Sequence, residues 1–170
     1  MAEFDHLIQE QIPRLRRYAR ALLRDRYRAD DLVQDTLERA WGRFDLWRRN
    51  SDLRAWMFTI MHNLFVNQGK SAHAEQAGLM QENGEWEIPV RATQEDGLAV
   101  QDLHAAISRL PPQYREVVLL VGLEQMKYEE VARVLEIPLG TVMSRLARGR
   151  EQLRDLLAGN PLSPHLRRVK

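Results

Sequence analysis

The sequence has no cysteine, few aromatic residues and no long apolar run. The absence of cysteine excludes disulfides, thiolate catalysis and cysteine-ligated zinc or iron–sulfur sites. Aromatic residues make up only 7% of the 170 positions, whereas charged residues make up 29%. This composition indicates one or two small domains that are mainly helical.

No apolar run approaches the roughly 18 residues of a membrane-spanning helix, and the first residues lack the apolar block of a signal peptide. We therefore expect no membrane insertion and a cytoplasmic location. The histidines are scattered without ligand-like spacing, at His6, His62, His73, His104 and His165. A metal or catalytic site needs converging ligands, or a nucleophile beside a base, so we expect no enzyme activity, no metal and no cofactor.

Charge is divided by region, although the formal net charge is only +1. Residues 1–73 carry 13 basic and 10 acidic side chains, residues 74–97 carry 1 and 6, and residues 98–170 carry 11 and 8. The middle segment also has little apolar periodicity, and it contains three glycines and a proline. These features predict a flexible acidic linker between two domains, at 1–73 and 98–170.

The apolar spacing of the first domain predicts three helices, over residues 3–24, 29–44 and 51–70. Pro13 marks a point where the first helix kinks or splits. Asp30 and Asp31 would lie at the positive end of the dipole of the second helix. Trp41 and Trp56 have apolar neighbours at helical spacing, so we expect both in the core.

The loop at residues 45–50, before the third helix, combines aromatic, basic and amide groups. Single-stranded nucleic acid needs this mixture, because a base stacks on a ring, its edge forms hydrogen bonds and its phosphate needs cations. The alternative is that Trp47 caps the hydrophobic core.

An apolar stripe opens the second domain near residue 98 and ends at two prolines; it consists of Val100, Leu103, Ile107 and Leu110. The next helix, predicted over residues 113–121 with Gly122 at its end, is almost wholly apolar. We therefore expect it at the centre of the second domain.

Residues 128–157 predict two helices around a short turn, as a helix-turn-helix requires. In the turn, Pro138 suits the start of the second helix, and Gly140 suits close backbone packing or an unusual dihedral angle. The stripe of the second helix that should face the core is Val142, Leu146, Leu153, Leu156 and Leu157. The opposite side carries Thr141, Ser144, Arg145 and Arg148. Hydroxyls and guanidiniums bond phosphates and base edges, which predicts DNA binding; the alternative is an amphipathic hairpin whose arginines are only solvated.

Three segments in order resemble those of the extracytoplasmic function (ECF) sigma factors, bacterial transcription initiation subunits that keep only regions 2 and 4. They are ADDLVQDTLERAW, LRAWMFTIMHNLFVNQGK and LPPQYREVVLLVGLEQMKYEEVARVLEIPLGTVMSRLARGREQL. The resemblance covers nearly the whole chain. It implies an all-α protein of two small helical domains joined by a flexible acidic linker, with a helix-turn-helix in the C-terminal domain.

The function that the resemblance implies is transcription initiation, in which the protein binds core RNA polymerase and directs it to specific promoter DNA. The alternative is a stand-alone repressor, which shares the helix-turn-helix but binds a palindrome as a dimer. A repressor should show a ligand pocket, a phosphoacceptor or a dimer seam in its first domain. The resemblance also implies an anti-sigma factor as a partner, and a linker on the path of nascent RNA; acidity for solubility explains the linker equally well.

The resemblance assigns three sets of site residues. Binding of core polymerase falls on Asp31, Gln34, Asp35 and Arg39, where a solvated polar face is the alternative. Capture of an unpaired base of the −10 promoter element falls on Trp47, Arg48, Asn50, Ser51 and Asn63. Reading of the −35 element falls on Thr141, Met143, Ser144, Arg145 and Arg148. Many relatives have a basic residue at the position of Met143 and a larger side chain at the position of Ala147. Contact with a thymine methyl group or reading of DNA shape is therefore expected to contribute more in this chain.

Overall fold

The computed structural model describes residues 2–76 and 94–159, and within those ranges it contains helices and no strand. The helices are α1 (Ala2–Leu22), α2 (Arg26–Gly42), α3 (Leu53–Gln76), α4 (Gln94–Arg109), α5 (Pro112–Gly122), α6 (Tyr128–Leu135) and α7 (Leu139–Leu157), with a short 3-10 turn at Phe44–Leu46. The predicted all-α fold is confirmed. Helices occupy both ends of the predicted linker, whose remaining residues, 77–93, lie outside the described residues.

The first three helices pack together because each has an apolar stripe at helical spacing. Ile8 and Leu15 from α1, Leu32 from α2 and Met57 from α3 are fully buried in this core. Pro13 lies on the exposed side of α1, and the helix continues through it. The predicted split of the first helix is therefore absent.

The second helix begins about one turn earlier than the sequence predicted. The carboxylate of Asp25 caps it and accepts hydrogen bonds from the backbone N–H groups of Tyr27, at 2.9 Å, and Arg28, at 3.3 Å. The predicted start near Ala29, with the two following aspartates at the positive end of the helix, is wrong because this cap was overlooked.

Trp56 packs against the core as predicted, but Trp41 is 38% exposed. The indole N–H of Trp41 donates a hydrogen bond to the carboxylate of Asp5 at 2.9 Å. A buried indole needs a partner for its N–H group, and this partner lies at the surface. The prediction that Trp41 is a core residue is therefore wrong.

The helix α5 lies at the centre of the second domain, as predicted, with Val117, Leu119 and Leu120 buried. Leu110, which follows the last residue of α4, is buried, whereas Leu103 within α4 is 41% exposed. Leu103 belongs to the apolar stripe read from the sequence, but its side chain is not part of the buried core.

Arg115 joins the ends of two helices. Its guanidinium donates hydrogen bonds to the backbone carbonyls of Leu22 (2.7 Å), Ile107 (3.2 Å), Ser108 (2.8 Å) and Leu110 (2.9 Å). The last carbonyls of a helix have no partner within the helix, so this one side chain satisfies groups at the ends of both α1 and α4. Burial, assisted by the charge of a neighbouring arginine, lowers the pKa of Arg115.

The helices α5 and α7 approach closely at Gly149. A Cβ atom at this position would lie 2.7 Å from Cγ2 of Val118 and 3.4 Å from Cβ of Tyr114. At Gly140, by contrast, a Cβ atom would have nothing within 4 Å, and the residue is helical. The predicted close packing or unusual dihedral angle at Gly140 is wrong: the packing occurs at Gly149, and the left-handed residue between the helices is Glu136, with φ 55°.

The apolar stripe of α7 is confirmed over most of its length. Val142 and Leu146 are buried, and Leu153 and Leu156 are partly buried. Leu157 is 48% exposed, because it is the last residue of the helix and extends beyond the packed part of α7. Its predicted place in the core is wrong.

The two domains pack against each other in a single body. Their buried apolar residues form one continuous cluster, in which α6 packs along α3 and α5 packs along α1. Arg54 of α3 crosses this boundary and donates hydrogen bonds to the carboxylate of Glu130 and to the backbone carbonyl of Glu124, each at 3.1 Å.

Two further polar contacts cross the same boundary. Arg17 of α1 pairs with the fully buried carboxylate of Glu124 at 3.2 Å. Nδ1 of His62 on α3 is hydrogen-bonded to Oε1 of Glu116 on α5 at 2.6 Å. The boundary therefore combines an apolar core with polar groups that range from the fully buried Glu124 to the half-exposed Arg17.

Candidate nucleic-acid interface

The residues predicted to bind polymerase form one exposed face of α2: Asp31, Gln34, Asp35 and Arg39. The opposite face of the helix is buried against α1 and α3. The polar groups are held weakly, since the Gln34 amide donates to Glu38 at 3.4 Å and the Gln68 amide donates to Asp35 at 3.5 Å. The structure thus brings these side chains together on a face that is open to a partner.

Trp47 is half-buried in the loop between α2 and α3. Its ring packs on Phe4 with centroids 5.6 Å apart, and the ring of Phe44 lies 5.3 Å from the same Phe4. The indole N–H of Trp47 is buried and has no hydrogen-bond partner among the described residues. The core-capping alternative for Trp47 therefore describes its position in the free protein.

The other loop residues predicted to touch the −10 element, Arg48, Asn50 and Ser51, are exposed. The hydroxyl of Ser51 donates to the carbonyl of Arg48 at 2.6 Å, which folds the loop back on itself. Asn63 is exposed on α3, ten residues beyond the start of the helix at Leu53. At about 1.5 Å per residue, Asn63 lies roughly 15 Å along the axis from the loop. A single base cannot touch both places, whereas a strand of several nucleotides can.

Four of the residues predicted to read the −35 element, at positions 141, 144, 145 and 148, share one side of α7, and Met143 lies on the other flank of its exposed surface. Met143, Ser144 and Arg148 are exposed, while Thr141 and Arg145 are partly covered. The hydroxyl of Ser144 donates to the carbonyl of Thr141 at 3.1 Å. The described structure therefore leaves this side of the helix free for the major groove of a DNA duplex, whose width admits an α-helix.

Reasoning from sequence missed the charged groups between the domains and an exposed aromatic residue. Arg54 and Glu124 are 70 residues apart, and no local pattern links residues at such a distance. Tyr27 is 83% exposed between two arginines. An aromatic residue flanked by arginines at the start of a helix was a signal that the sequence did contain.

Residues 2–76 and 94–159 contain no cluster of three histidine, aspartate or glutamate side chains that could hold a metal ion. Within the same ranges, no helix has the length and hydropathy needed to cross a bilayer.

The fold and its exposed surfaces define the class: a two-domain helical DNA-binding protein with a helix-turn-helix. Comparison with known proteins specifies it further. The family model described as the Sigma2 domain of PhyR matches residues 8–62, and the one described as Sigma-70, region 4, matches residues 100–153. The ECF RNA polymerase sigma factor EcfG of Rhodopseudomonas palustris (strain TIE-1) is 35% identical over 148 residues, which are 86% of this chain and 80% of the relative.

Two solved structures have a similar fold. The sigma factor RpoE from Bartonella quintana, in complex with the anti-sigma factor NepR, matches with a TM-score of 0.81 and 32% identity over 95% of this chain and 100% of that chain. CnrH, in complex with the cytosolic domain of CnrY, matches with a TM-score of 0.67 and 25% identity over 93% and 89%. The chain belongs to the ECF RNA polymerase sigma factors.

Proposed function

We propose that this protein binds core RNA polymerase and directs it to specific promoters as a transcription initiation factor, and that it is not a stand-alone repressor. The observation that carries the proposal is that each of the two sigma-factor domains exposes a different polar surface. One is the polar face of α2, and the other is the exposed side of α7. A repressor needs only the second.

Docking on polymerase is assigned to Asp31, Gln34, Asp35 and Arg39 on α2. These side chains carry both signs of charge, and they lie on a rigid helix whose other face is buried. Complementary charges at the rim of an interface steer association and fix its register. The exposed face of α2 is therefore suited to choosing one orientation on a large partner.

Capture of the −10 element is assigned to the loop and the adjoining helix α3, through Trp47, Arg48, Asn50, Ser51 and Asn63. Opening the duplex costs a few kcal/mol of unstacking, and contacts made only with the single strand offset that cost. In this proposal Arg48 and Asn50 contact the strand first, while the ring of Trp47 has to leave or share its contact with Phe4. Opening of the duplex then depends on its sequence, because only a base that fits this site replaces the stacking lost from the duplex with contacts to the protein.

Reading of the −35 element is assigned to Thr141, Met143, Ser144, Arg145 and Arg148. The guanidinium of an arginine pairs with guanine in a bidentate contact worth about 1–3 kcal/mol of discrimination. Arg148 is the best placed for this role because it is exposed, whereas Arg145 is partly covered. Met143, which is 53% exposed, offers an apolar contact to a thymine methyl group.

The remaining features of the proposal follow from the family. The two similar solved structures are complexes with an anti-sigma factor and with the cytosolic domain of CnrY, which supports an anti-sigma partner for this chain. Because its partners in this proposal are RNA polymerase and chromosomal DNA, the protein acts in the cytoplasm. In this role the protein catalyses no reaction of its own; the polymerase supplies the chemistry.

Reconstituted transcription tests the proposal directly. The purified chain is mixed with core polymerase and fragments of its own genome, and the transcripts are mapped to their start sites. We expect transcripts from promoters that share an upstream and a downstream element, and little tight DNA binding by the chain alone. Absence of any such transcript, together with a palindromic footprint by the chain alone, would establish the repressor instead.

A further inference from the structure

An exposed basic segment joins α1 to α2, at the opposite end of α2 from the −10 loop. We call residues 24–28, with the sequence RDRYR, the basic turn. Its three arginines are exposed, and Tyr27 is the most exposed of the large apolar residues in the described part of the chain, at 83%. The single acidic residue, Asp25, already accepts hydrogen bonds from two backbone N–H groups.

The arginines of the basic turn do not serve the fold through ion pairs. In the described part of the chain no carboxylate lies within 4.0 Å of the guanidinium of Arg24, Arg26 or Arg28. The nearby Asp30 is paired with Arg20 at 3.6 Å. Three neighbouring cations repel one another, and no ion pair within the described residues offsets this repulsion.

The surrounding electrostatics add to this positive charge. The first turn of α2 contains Arg26 and Arg28 and no acidic residue, although the positive end of a helix dipole favours acidic side chains. After burial, the charge of Arg24 is a further cause of the lowered pKa values of both His104 and Arg115. The positive charge of the basic turn therefore acts on groups of the second domain.

We infer that the basic turn binds the phosphate backbone of duplex promoter DNA, as a third contact besides the −10 loop and α7. Guanidinium groups and the tyrosine hydroxyl both bond phosphate oxygens, and such contacts position a protein without reading bases. A duplex offers a negative charge about every 1.7 Å, so it neutralises several arginines without burying them. A protein interface would have to desolvate three like charges at once. The inference rests on the proposed function.

The length of α2 limits how far from the −10 loop this contact falls. The α2 helix separates it from the −10 loop by 16 residue steps, from Arg26 to Gly42. At about 1.5 Å per residue this is roughly 24 Å. At about 3.4 Å per base pair, it corresponds to about seven base pairs of duplex. If the duplex runs along α2, the phosphates contacted lie up to about seven base pairs from the −10 element.

The test measures the salt dependence of promoter binding by the reconstituted holoenzyme. In the variant Arg26→Ala/Arg28→Ala, the slope of log Kobs against log salt should become shallower by about two, since each lost phosphate contact removes about 0.9. The loss of affinity should be the same for promoters with different −10 and −35 sequences. Hydroxyl-radical footprinting should show reduced protection about seven base pairs from the −10 element.

Two control variants isolate the charge of the basic turn. Arg26→Lys/Arg28→Lys keeps both charges and should keep the slope, while Arg154→Ala removes an exposed charge at the far end of α7 and should also keep it. A wild-type slope in the double alanine variant overturns the inference. The inference is also overturned if the double alanine variant binds core polymerase more weakly while its salt-dependence slope is unchanged. That result would make the turn a protein-binding surface. Failure of wild-type holoenzyme to transcribe is a different result, and it would overturn the proposed function as well.

Discussion

At the scale of single residues, Gly149 controls how closely the two helices α5 and α7 pack. In Gly149→Ala the new methyl group would lie 2.7 Å from Cγ2 of Val118. Val118 is β-branched, and its χ1 angle is stiff in a helix, so the methyl group cannot turn away cheaply. Overpacking of this kind costs about 1–3 kcal/mol, which exceeds the gain of about 1 kcal/mol in helix propensity. We expect a lower free energy of unfolding, measured in urea.

Gly69 of α3 provides the matched control for Gly149. It is exposed, and a Cβ atom there would have nothing within 4 Å. Gly69→Ala should therefore stabilise the protein by up to about 1 kcal/mol, as alanine does in a helix interior. Equal effects of the two substitutions would contradict the steric explanation, and adding Val118→Ala to the Gly149 variant should recover part of the loss.

Arg148 gives a second prediction at this scale. Arg148→Ala should weaken initiation at promoters that depend on the −35 element, by about 1–3 kcal/mol in binding if the guanidinium pairs with guanine. Initiation at a promoter that lacks the upstream element should be unchanged. An equal loss on both promoters, measured as transcript yield over a range of holoenzyme concentrations, would rule out a specific role. Arg154→Ala serves as the control for loss of charge on the same helix.

At the scale of elements, the loop between α2 and α3 should act in strand opening. Trp47→Ala should impair formation of the open complex, because a stacking surface for an unpaired base is lost. The same substitution removes the contact with Phe4, so its thermal stability has to be measured in parallel. Arg48 is exposed and does not touch this core. Arg48→Ala should therefore slow opening of the promoter duplex without loss of protein stability. Normal opening by both variants, followed with a fluorescent base that responds to unstacking, would contradict the assignment.

Helical periodicity predicted the elements well and their ends less well. The apolar stripes of α1, α3 and α7 follow from spacing alone, because burial of one face is the dominant requirement of a helix in a small domain. The start of α2 was misplaced because it depends on a single cap, Asp25, and on two hydrogen bonds. The polar faces of α2 and α7 were also predictable, since they are what remains once the buried faces are assigned.

Contacts between the domains could not be predicted from the sequence. The bonds from Arg17 and Arg54 reach across 107 and 76 residues, and neither belongs to a repeating pattern. The same is true of the close approach at Gly149, which depends on where α5 lies. The glycine singled out from the sequence, Gly140, is more conspicuous beside Pro138, but it has open space around it.

At the scale of the whole molecule, the proposed function predicts that the packed domains separate when the protein binds both promoter elements. Elements centred near −35 and −10 are about 85 Å apart on a duplex that rises about 3.4 Å per base pair. A packed globule of this length has a radius of gyration of about 15 Å, and so a diameter of about 40 Å. Seventeen residues, 77–93, join the two described parts, and fully extended they reach about 60 Å. Together with the domains themselves, this reach is sufficient.

Loss of Arg54 should favour the separated form. Arg54→Ala removes both hydrogen bonds of that side chain across the domain boundary. The chain contains no cysteine, so labels attached to Gln9→Cys and Glu151→Cys report the distance between α1 and α7 without interference. We expect the distance distribution to shift outward in Arg54→Ala, and further when core polymerase is added. Arg16→Ala, which is exposed and makes no ion pair in the described residues, should leave the distribution unchanged.

The buried carboxylate of Glu124 lowers the free-energy cost of separating the two domains. One oxygen meets Arg17, but Oε2 is buried without a hydrogen-bond partner among the described residues. Removing a carboxylate from water costs several kcal/mol, and a single partner returns only part of it. Hydration of Glu124 on separation therefore offsets part of the free energy of the apolar contact that is lost. A partner that binds the separated arrangement more tightly by about 1.4 kcal/mol shifts the ratio of separated to closed molecules tenfold.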